Sequence, residues 1–253
     1  MDDFSKGNLT VDEIQKHITL SYIDHVGNEI AKLDTYREFR KCIPELIYGE
    51  SKLLSDVMQI VDTLIEKRSS VIVTRLKMNN LEDLKVYLSS KKYFFEQGIN
   101  SSTILIHKKR NLVKNKYGKI GIICAGTSDI PVAEEARLVS KAMGCESILS
   151  YDVGIAGIHR LFPILSKMLK SNVKSIVVAA GMEGALPSFV SACVDIPVIG
   201  VPTSVGYGFG SNGVAALASM LQSCTLGLTV VNIDNGVGAG AFASLIALNS
   251  KKK

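Results

Sequence analysis

The sequence lacks the cysteine patterns of a disulfide framework or of a structural zinc site. Its five cysteines are odd in number and scattered without a CxxC pair, which fits a reducing cytoplasm. Basic residues outnumber acidic ones by only 29 to 24, so charge gives no reason to expect a nucleic-acid or membrane-surface partner. The start, Met1-Asp2-Asp3, is acidic and has no apolar stretch of the secretory type. We therefore expect a cytoplasmic protein.

Charged residues are also absent between Asp195 and Asp234. An uncharged stretch of this length could suggest a membrane span. However, Pro197, Pro202 and several glycines divide it into a short apolar run, a glycine-rich loop and a helical segment. These proline and glycine positions favour a buried segment of a globular core over a membrane span.

Glycine is unevenly distributed, with 4 of the 21 glycines in residues 1–117 and 17 in residues 118–253. In residues 1–117, helical patterns near residues 10–20, 51–68 and after Asn80 alternate with the extended runs 71–74 and 103–107. We predict a small α+β domain over 1–117. It ends in a basic run, Lys108 to Lys116, which is a solvated linker or, alternatively, a phosphate-binding segment.

Five apolar runs alternate with helical segments from Lys119 onward. Strands this apolar are usually covered on both faces, and short turns followed by returning helices imply right-handed crossovers in a parallel sheet. We predict an α/β domain over 118–253, a doubly wound parallel five-stranded sheet in a flavodoxin-like three-layer sandwich. The predicted strands are 120–125, 147–151, 175–180, 198–201 and 228–233.

Ligands of such sheets bind beyond the carboxyl ends of the strands. The GTSD segment after the first strand (126–129) is neither a Walker A loop nor GxGxxG. After the first strand come Gly126, Thr127, Ser128 and Asp129, with Pro131 in the first helical turn. These residues suit a phosphate at a helix N-terminus, or Ser128 or Asp129 is simply an N-cap.

Charged residues also follow the second and third strands. His159 and Arg160 are predicted to begin a helix, where Arg160 could hold a phosphate or carboxylate and His159 could instead pack locally. Glu183, the only charged residue between Lys174 and Asp195, stands in a turn with Gly181, Met182 and Gly184. It is a candidate general base or an ordinary helix-start carboxylate.

The last two strands lead into a loop and a turn. The loop holds Pro202, Thr203, Ser204 and Tyr207, whose hydroxyls and aromatic ring suit a ligand. In the turn, Asp234 could bind a ribose hydroxyl or cap the last helix. The preceding helix is predicted to end at Gln222-Ser223-Cys224, where Cys224 is a small core residue or a nucleophile.

Together these segments resemble the LarB family, carboxylase/hydrolases of nickel-pincer nucleotide cofactor synthesis. In the first domain the resemblance rests on Arg37-Glu38-Phe39-Arg40, Pro44-Glu45 and Tyr48-Gly49. In the second it rests on GTSDIPVAEEA (126–136), YDVGIAGIHR (151–160), AAGMEGALPS (179–188), VPTSVGYG (201–208), QSC (222–224) and VNIDNG (231–236). The second domain also resembles the aminoimidazole ribonucleotide carboxylase/mutase (PurE) family, although Ala185 stands where those enzymes carry a His.

The resemblance implies carboxylation of nicotinic acid adenine dinucleotide by CO2 or bicarbonate, then phosphoanhydride hydrolysis. The products are pyridinium-3,5-biscarboxylic acid mononucleotide and AMP. It implies Cys224 as nucleophile, Mg²⁺ without assigned ligands, and a homo-octamer. Loss of the ring proton requires a carboxylate base, for which Glu183 is the first choice and Asp129 the second. The PurE reaction and a non-catalytic dinucleotide sensor are the alternatives. The implied substrate-binding residues are Gly126, Thr127, Ser128, His159, Arg160, Gly181, Met182, Gly184, Pro202, Thr203, Ser204, Tyr207 and Asp234.

Overall fold

A computed structural model describes Thr10 and residues 23–26, 31–34, 42–68, 70–108 and 117–250. Its contacts divide the chain into two units, residues 1–94 with 106–110 and residues 95–105 with 111–253. The helix predicted near residues 10–20 lies outside the described residues except for Thr10. So does most of the basic run between Lys108 and Lys116.

The described residues before 94 begin with three short strands and continue with a helix, a fourth strand and a second helix. Strands β1 (Ile23–Val26) and β2 (Ala31–Asp34) form an antiparallel pair. They are followed by β3 (Leu46–Tyr48), α1 (Leu54–Lys67), β4 (Ser70–Thr74) and α2 (Met78–Ser90), with β3 parallel to β4. Helix α1 buries residues 57, 60, 61, 64 and 65, the spacing of one helical face.

Two further short strands follow, β5 (Phe94–Gln97) and β6 (Ile104–His107). They complete a four-stranded sheet in the order β3-β4-β6-β5. The segment between them is grouped by its contacts with the second unit.

The second unit is built on a five-stranded, all-parallel sheet. Its strands are β7 (Lys119–Cys124), β8 (Glu146–Ser150), β9 (Ile176–Ala180), β10 (Val198–Pro202) and β11 (Leu228–Val230), in the spatial order β11-β10-β9-β7-β8. The predicted α/β class is therefore confirmed. Strand β11 is shorter than the predicted run 228–233 because Asn232 to Asp234 already turn across the end of the sheet, where Asp234 N–H donates to Pro202 O.

Five helices cover the two faces of this sheet. They are α3 (Ile130–Ala142), α4 (Leu161–Lys170), α5 (Ala185–Cys193), α6 (Val214–Leu221) and α7 (Gly236–Asn249). Alternate strand residues point to opposite faces. Ile120, Ile122 and Cys124 pack with α3 and α7, whereas Ile123 packs with α4, α5 and α6. Each fully buried aliphatic side chain of this kind contributes about 1.5–3 kcal/mol.

Helices α3 and α7 pack closely because small residues line their contact. A Cβ atom at Gly240 would lie 2.5 Å from the carbonyl oxygen of Ala136, and one at Gly236 would lie 2.3 Å from that of Val132. Glu135 also accepts a hydrogen bond from Val237 N–H at 3.0 Å in the first turn of α7. This packing fixes the turn that carries Asp234 and Asn235.

Among the described residues, no helix is both long and apolar enough to cross a membrane. The uncharged segment between Asp195 and Asp234 instead forms β10, α6, β11 and their connecting loops.

Candidate active site at the carboxyl ends of the strands

A cleft of about 360 Å³ opens at the carboxyl ends of β7, β8 and β9. Three loops form most of its wall, and each follows one of these strands. The lining residues are Ala125, Gly126, Thr127, Ser128, Asp129, Asp152, Gly154, Ile155, Ala156, Ala180, Gly181, Met182, Glu183, Ala185, Leu186 and Val205.

Asp129 is the buried acid of the cleft, with only 3% of its surface exposed. Its Oδ1 accepts a 2.5 Å hydrogen bond from the Thr203 hydroxyl, and its Oδ2 accepts a 2.8 Å bond from Gly126 N–H. Burial raises the pKa of Asp129 and the nearby Asp234 adds to the rise, although the bonds from Thr203, Gly126 and Gly181 oppose it. Asp129 thus joins the loops after β7, β9 and β10. Asp129 is the N-cap residue of α3, but its side chain makes no bond into that helix and instead bonds back to Gly126 N–H, as the acid of a capping box does, at the start of the 3-10 turn 127–129.

The loop after β9 holds Glu183 at the cleft. Gly181 lies so close to the loop after β10 that a Cβ atom would be 2.2 Å from Val205 O, and Met182 N–H donates to that same oxygen at 2.9 Å. Met182 and Gly184 both have positive φ, 52° and 63°, which a tight turn requires and which Gly tolerates best. The turn leaves Glu183 exposed on the wall of the cleft.

The loop after β8 places Asp152, rather than His159 or Arg160, on the cleft wall. Arg160 is the residue before α4 and donates to Asp152 Oδ2 at 2.8 Å. His159 and Arg160 are exposed at the end of a 3-10 segment, 155–160, and α4 begins only at Leu161. The predicted helix start at His159 is therefore corrected by two residues, and Arg160 contacts the cleft wall through its ion pair with Asp152.

The loops after β10 and β11 meet each other near this edge. Ser204 N–H donates to Asp234 Oδ1 at 2.8 Å. The last helix is capped by Asn235, whose side chain accepts from Gly238 N–H at 2.8 Å, so Asp234 is not its cap. Tyr207 is 80% exposed, and neither it nor Pro202, Gly184 or the Ser204–Asp234 pair lines the cleft.

Cys224 lies at the opposite edge of the sheet. Helix α6 ends at Leu221, earlier than predicted, because it has already returned to the amino ends of the strands. Three residues after Cys224, Gly227 O accepts from Val198 N–H, the first residue of β10. Strand β10 places about 13 Å of extended chain between that edge and the cleft. Within one chain, the cleft residues and Cys224 are therefore not brought together.

Cys124, the last residue of β7, directly precedes the cleft residue Ala125. It is buried, its thiol donates to Gly126 O at 3.3 Å, and burial raises the pKa of the Cys124 thiol to about 11. A thiol with this pKa is almost entirely protonated near neutral pH. Cys124 is thus a core residue beneath the cleft.

Sequence reasoning missed the apolar part of the lining and three polar residues, Asp152, Glu134 and Tyr151. Asp152 was visible as the charged residue directly after a strand. The spacing of Glu134 and Arg137 was visible as an i, i+3 pair on one helix. Nothing in the local sequence indicated that Tyr151 bonds to Glu134.

Two family models match the chain. The AIR carboxylase model matches residues 119–253, and the LarB/PurE-like N-terminal domain model matches residues 23–101. The uncharacterized protein MJ0165 of Methanocaldococcus jannaschii is 47% identical over 245 residues, which cover 96% of this chain and 94% of that protein.

More distant relatives match about half of the chain. The N5-carboxyaminoimidazole ribonucleotide mutase of Pyrococcus horikoshii is 28% identical over 136 residues, 52% of this chain and 73% of its own. The phosphoribosylaminoimidazole carboxylase of Saccharomyces cerevisiae is 33% identical over 129 residues, 49% of this chain and 21% of its own.

These matches define the class of the second domain as an AIR carboxylase-type, PurE-like α/β domain. With the N-terminal model added, the chain belongs to the LarB family.

Proposed function

We propose that the protein carboxylates the pyridinium ring of nicotinic acid adenine dinucleotide and then hydrolyses its phosphoanhydride. The products would be pyridinium-3,5-biscarboxylic acid mononucleotide and AMP. The observation that carries the proposal is the composition of the cleft in a LarB-family chain. Glu183 and Asp129 line it, while Ala185, where the PurE enzymes carry a His, supplies no ionisable group.

The chemistry needs a nucleophile because an electron-poor pyridinium cannot attack CO2. A thiolate that adds to the ring carbon para to nitrogen converts the ring to an enamine, and the adjacent carbon then attacks CO2. Loss of the proton from that carbon and expulsion of the thiolate restore the aromatic ring. We assign the thiolate to Cys224.

Glu183 is the proposed base that removes the ring proton. It is exposed on the cleft wall, where it can reach a bound ring. Asp129 is the second choice, because both its oxygens already accept hydrogen bonds from Thr203 and Gly126. We expect Asp129 to hold the loops in place and the free N–H groups and hydroxyls of Thr127 and Ser128 to bind phosphate.

Because Cys224 and the cleft lie at opposite edges of one sheet, the mechanism requires Cys224 from another copy of the chain. Surface apolarity supports such an assembly. Leu221 and Leu226, on either side of Cys224, are 66% and 93% exposed. Tyr207 and Phe209, in the loop after β10, are even more exposed on average. Large exposed apolar side chains of this kind mark interaction surfaces. We propose the homo-octamer that the LarB resemblance implies.

Mg²⁺ remains part of the proposal as an aid to phosphate hydrolysis. The described residues contain no group of three His, Cys, Asp or Glu side chains placed to hold a metal ion, so they do not form a metal site of their own. Mg²⁺ commonly binds through substrate phosphates and one or two carboxylates. No step above passes through the ion.

Mass spectrometry of a reaction with nicotinic acid adenine dinucleotide, [¹³C]bicarbonate and Mg²⁺ tests the proposal. We expect AMP and a labelled dicarboxylate mononucleotide. NAD, which carries an amide instead of the acid, should not react, because the product must be a symmetric dicarboxylate.

Two matched reactions separate the alternatives. Turnover of aminoimidazole ribonucleotide instead would identify a PurE-type enzyme. Binding of the dinucleotide without any product would identify a sensor, and equal turnover of NAD would contradict the substrate assignment.

A further inference from the structure

A buried carboxylate lies behind the cleft, in helix α3. Glu134 is 0% exposed. Its Oε1 accepts from Arg137 Nε at 2.7 Å and from the Tyr151 hydroxyl, and its Oε2 accepts from Arg137 Nη2 at 2.8 Å and from Ile99 N–H at 2.9 Å. Each oxygen therefore has two donors, which is the full pairing that a buried charge requires.

The charges of this cluster balance. Glu96 accepts from Arg137 Nη1 at 2.5 Å and from Lys141 Nζ, so two cations face two carboxylates. Burial alone would raise the pKa of Glu134, but the bonds from Arg137, Tyr151 and Ile99 bring it below its ordinary value. Burial and the bond to Glu134 raise the pKa of Tyr151. The Tyr151 hydroxyl therefore remains protonated and donates to Glu134.

Tyr151 is followed directly by the cleft wall. Asp152 has a positive φ of 57°, a conformation that costs energy outside glycine. Val153 N–H donates to Cys124 O at 3.2 Å, and a Cβ atom at Gly154 would lie 2.8 Å from Ala125 O. The loop is thus fixed against β7 on one side and against Glu134, through Tyr151, on the other.

We propose that Tyr151 is a positioning residue of the cleft, because its bond to buried Glu134 holds the end of β8 so that Asp152 and Gly154 form a stable wall. The same carboxylate binds Ile99 N–H, so the segment 95–105 supports this wall as well. Tyr151 does not line the cleft itself. The expected effect on turnover rests on the proposed function, whereas the effect on the loop does not.

The test compares Tyr151→Phe with Tyr87→Phe. Both substitutions remove a tyrosine hydroxyl that donates to a carboxylate, since Tyr87 donates to Asp62 Oδ2 at 2.7 Å in the first unit. Hydrogen exchange read by mass spectrometry should show residues 152–160 exchanging at least about tenfold faster in Tyr151→Phe and unchanged in Tyr87→Phe. The KM for the dinucleotide should rise about tenfold with kcat within about twofold of wild type.

Each outcome decides the inference. Unchanged exchange in residues 152–160 of a folded Tyr151→Phe protein would overturn it. So would faster exchange with an unchanged KM in an active enzyme. Glu96→Gln leaves the bond between Tyr151 and Glu134 in place. It should therefore raise the exchange rate of residues 152–160 and the KM for the dinucleotide less than Tyr151→Phe does. If the wild-type protein turns over no dinucleotide, the proposed function fails and the exchange data alone decide the positioning role.

Discussion

The two edges of the second unit's sheet differ in how their reactive residues are held. At the carboxyl-end edge, Asp129 is buried and bonded to loops that follow different strands, and Gly181 is packed against Val205. At the amino-end edge, Cys224 is exposed between the exposed side chains Leu221 and Leu226. The first edge is organised within one chain. The second leaves a nucleophile-type residue on an apolar surface, as expected where another copy packs.

The largest effect should come from Cys224, the proposed nucleophile. Cys224→Ser should lower carboxylation by about a thousandfold or more, because a hydroxyl is almost un-ionised near neutral pH and is a poor leaving group. Cys193→Ser is the matched control, since Cys193 is also exposed and ends α5. It should keep wild-type turnover of the dinucleotide. Wild-type rates in Cys224→Ser would reject the covalent mechanism.

Removing the proposed base should have the next largest effect. Glu183→Gln keeps the size of the side chain but cannot accept the ring proton, so kcat should fall by about a hundredfold to ten-thousandfold. Dinucleotide affinity, measured by calorimetry, should change little. If Glu183→Gln retains kcat and Asp129→Asn loses it, the order of the two bases proposed here is reversed.

The sequence predicts those parts of the site that follow from the order and direction of the strands. The cleft residues Gly126 to Asp129 and Gly181 to Glu183 follow parallel strands, and parallel strands bring their carboxyl ends to one edge. Their convergence was therefore predictable. Cys224 was identified as a candidate by its motif, but the motif does not predict whether Cys224 lies at the carboxyl ends or the amino ends of the strands.

Side-chain partners far apart in sequence were not predictable in this way. The bonds from Thr203 to Asp129 and from Tyr151 to Glu134 depend on packing between elements, and no local pattern encodes them. The strands of the second unit were predicted to within two residues at most ends, because continuous Val and Ile runs strongly favour buried strands. Strand β11 was the exception, since its apolar run continues into the turn after the strand. In the first part of the chain, the runs 71–74 and 103–107 were predicted, whereas the short strands β1, β2, β3 and β5 were not.

The separation of the two edges can be tested directly by mixing variants. Cys224→Ser and Glu183→Gln chains, coexpressed with different tags, should recover activity that neither has alone. If one copy supplies the cysteine and another the base, about a quarter of the sites in a random mixture have both intact residues.

The double variant Cys224→Ser/Glu183→Gln, coexpressed with Cys224→Ser, is the control and should stay inactive. Native mass spectrometry must show that the assemblies are mixed. Mixed assemblies without recovered activity would mean that both residues of a working site come from the same chain.

The smallest effect concerns Asp129 and stability. Burial raises its pKa, so the folded protein holds the Asp129 proton more tightly than the unfolded chain does. Its contribution to stability is then fully present below the ordinary Asp pKa of about 3.9 and declines as the pH rises towards the raised value.

Asp129→Asn cannot titrate and loses one of the two bonds to Thr203 and Gly126, which should cost about 1–3 kcal/mol. The stability advantage of the wild type over Asp129→Asn, from thermal unfolding at several pH values, should therefore shrink as the pH is raised. Asp195→Asn, at an exposed carboxylate, provides the baseline, and the other acids cancel in the comparison. An advantage that grows with pH would mean that the bonds from Thr203, Gly126 and Gly181 outweigh burial, so that Asp129 is a stabilised anion suited to a different role in the cleft.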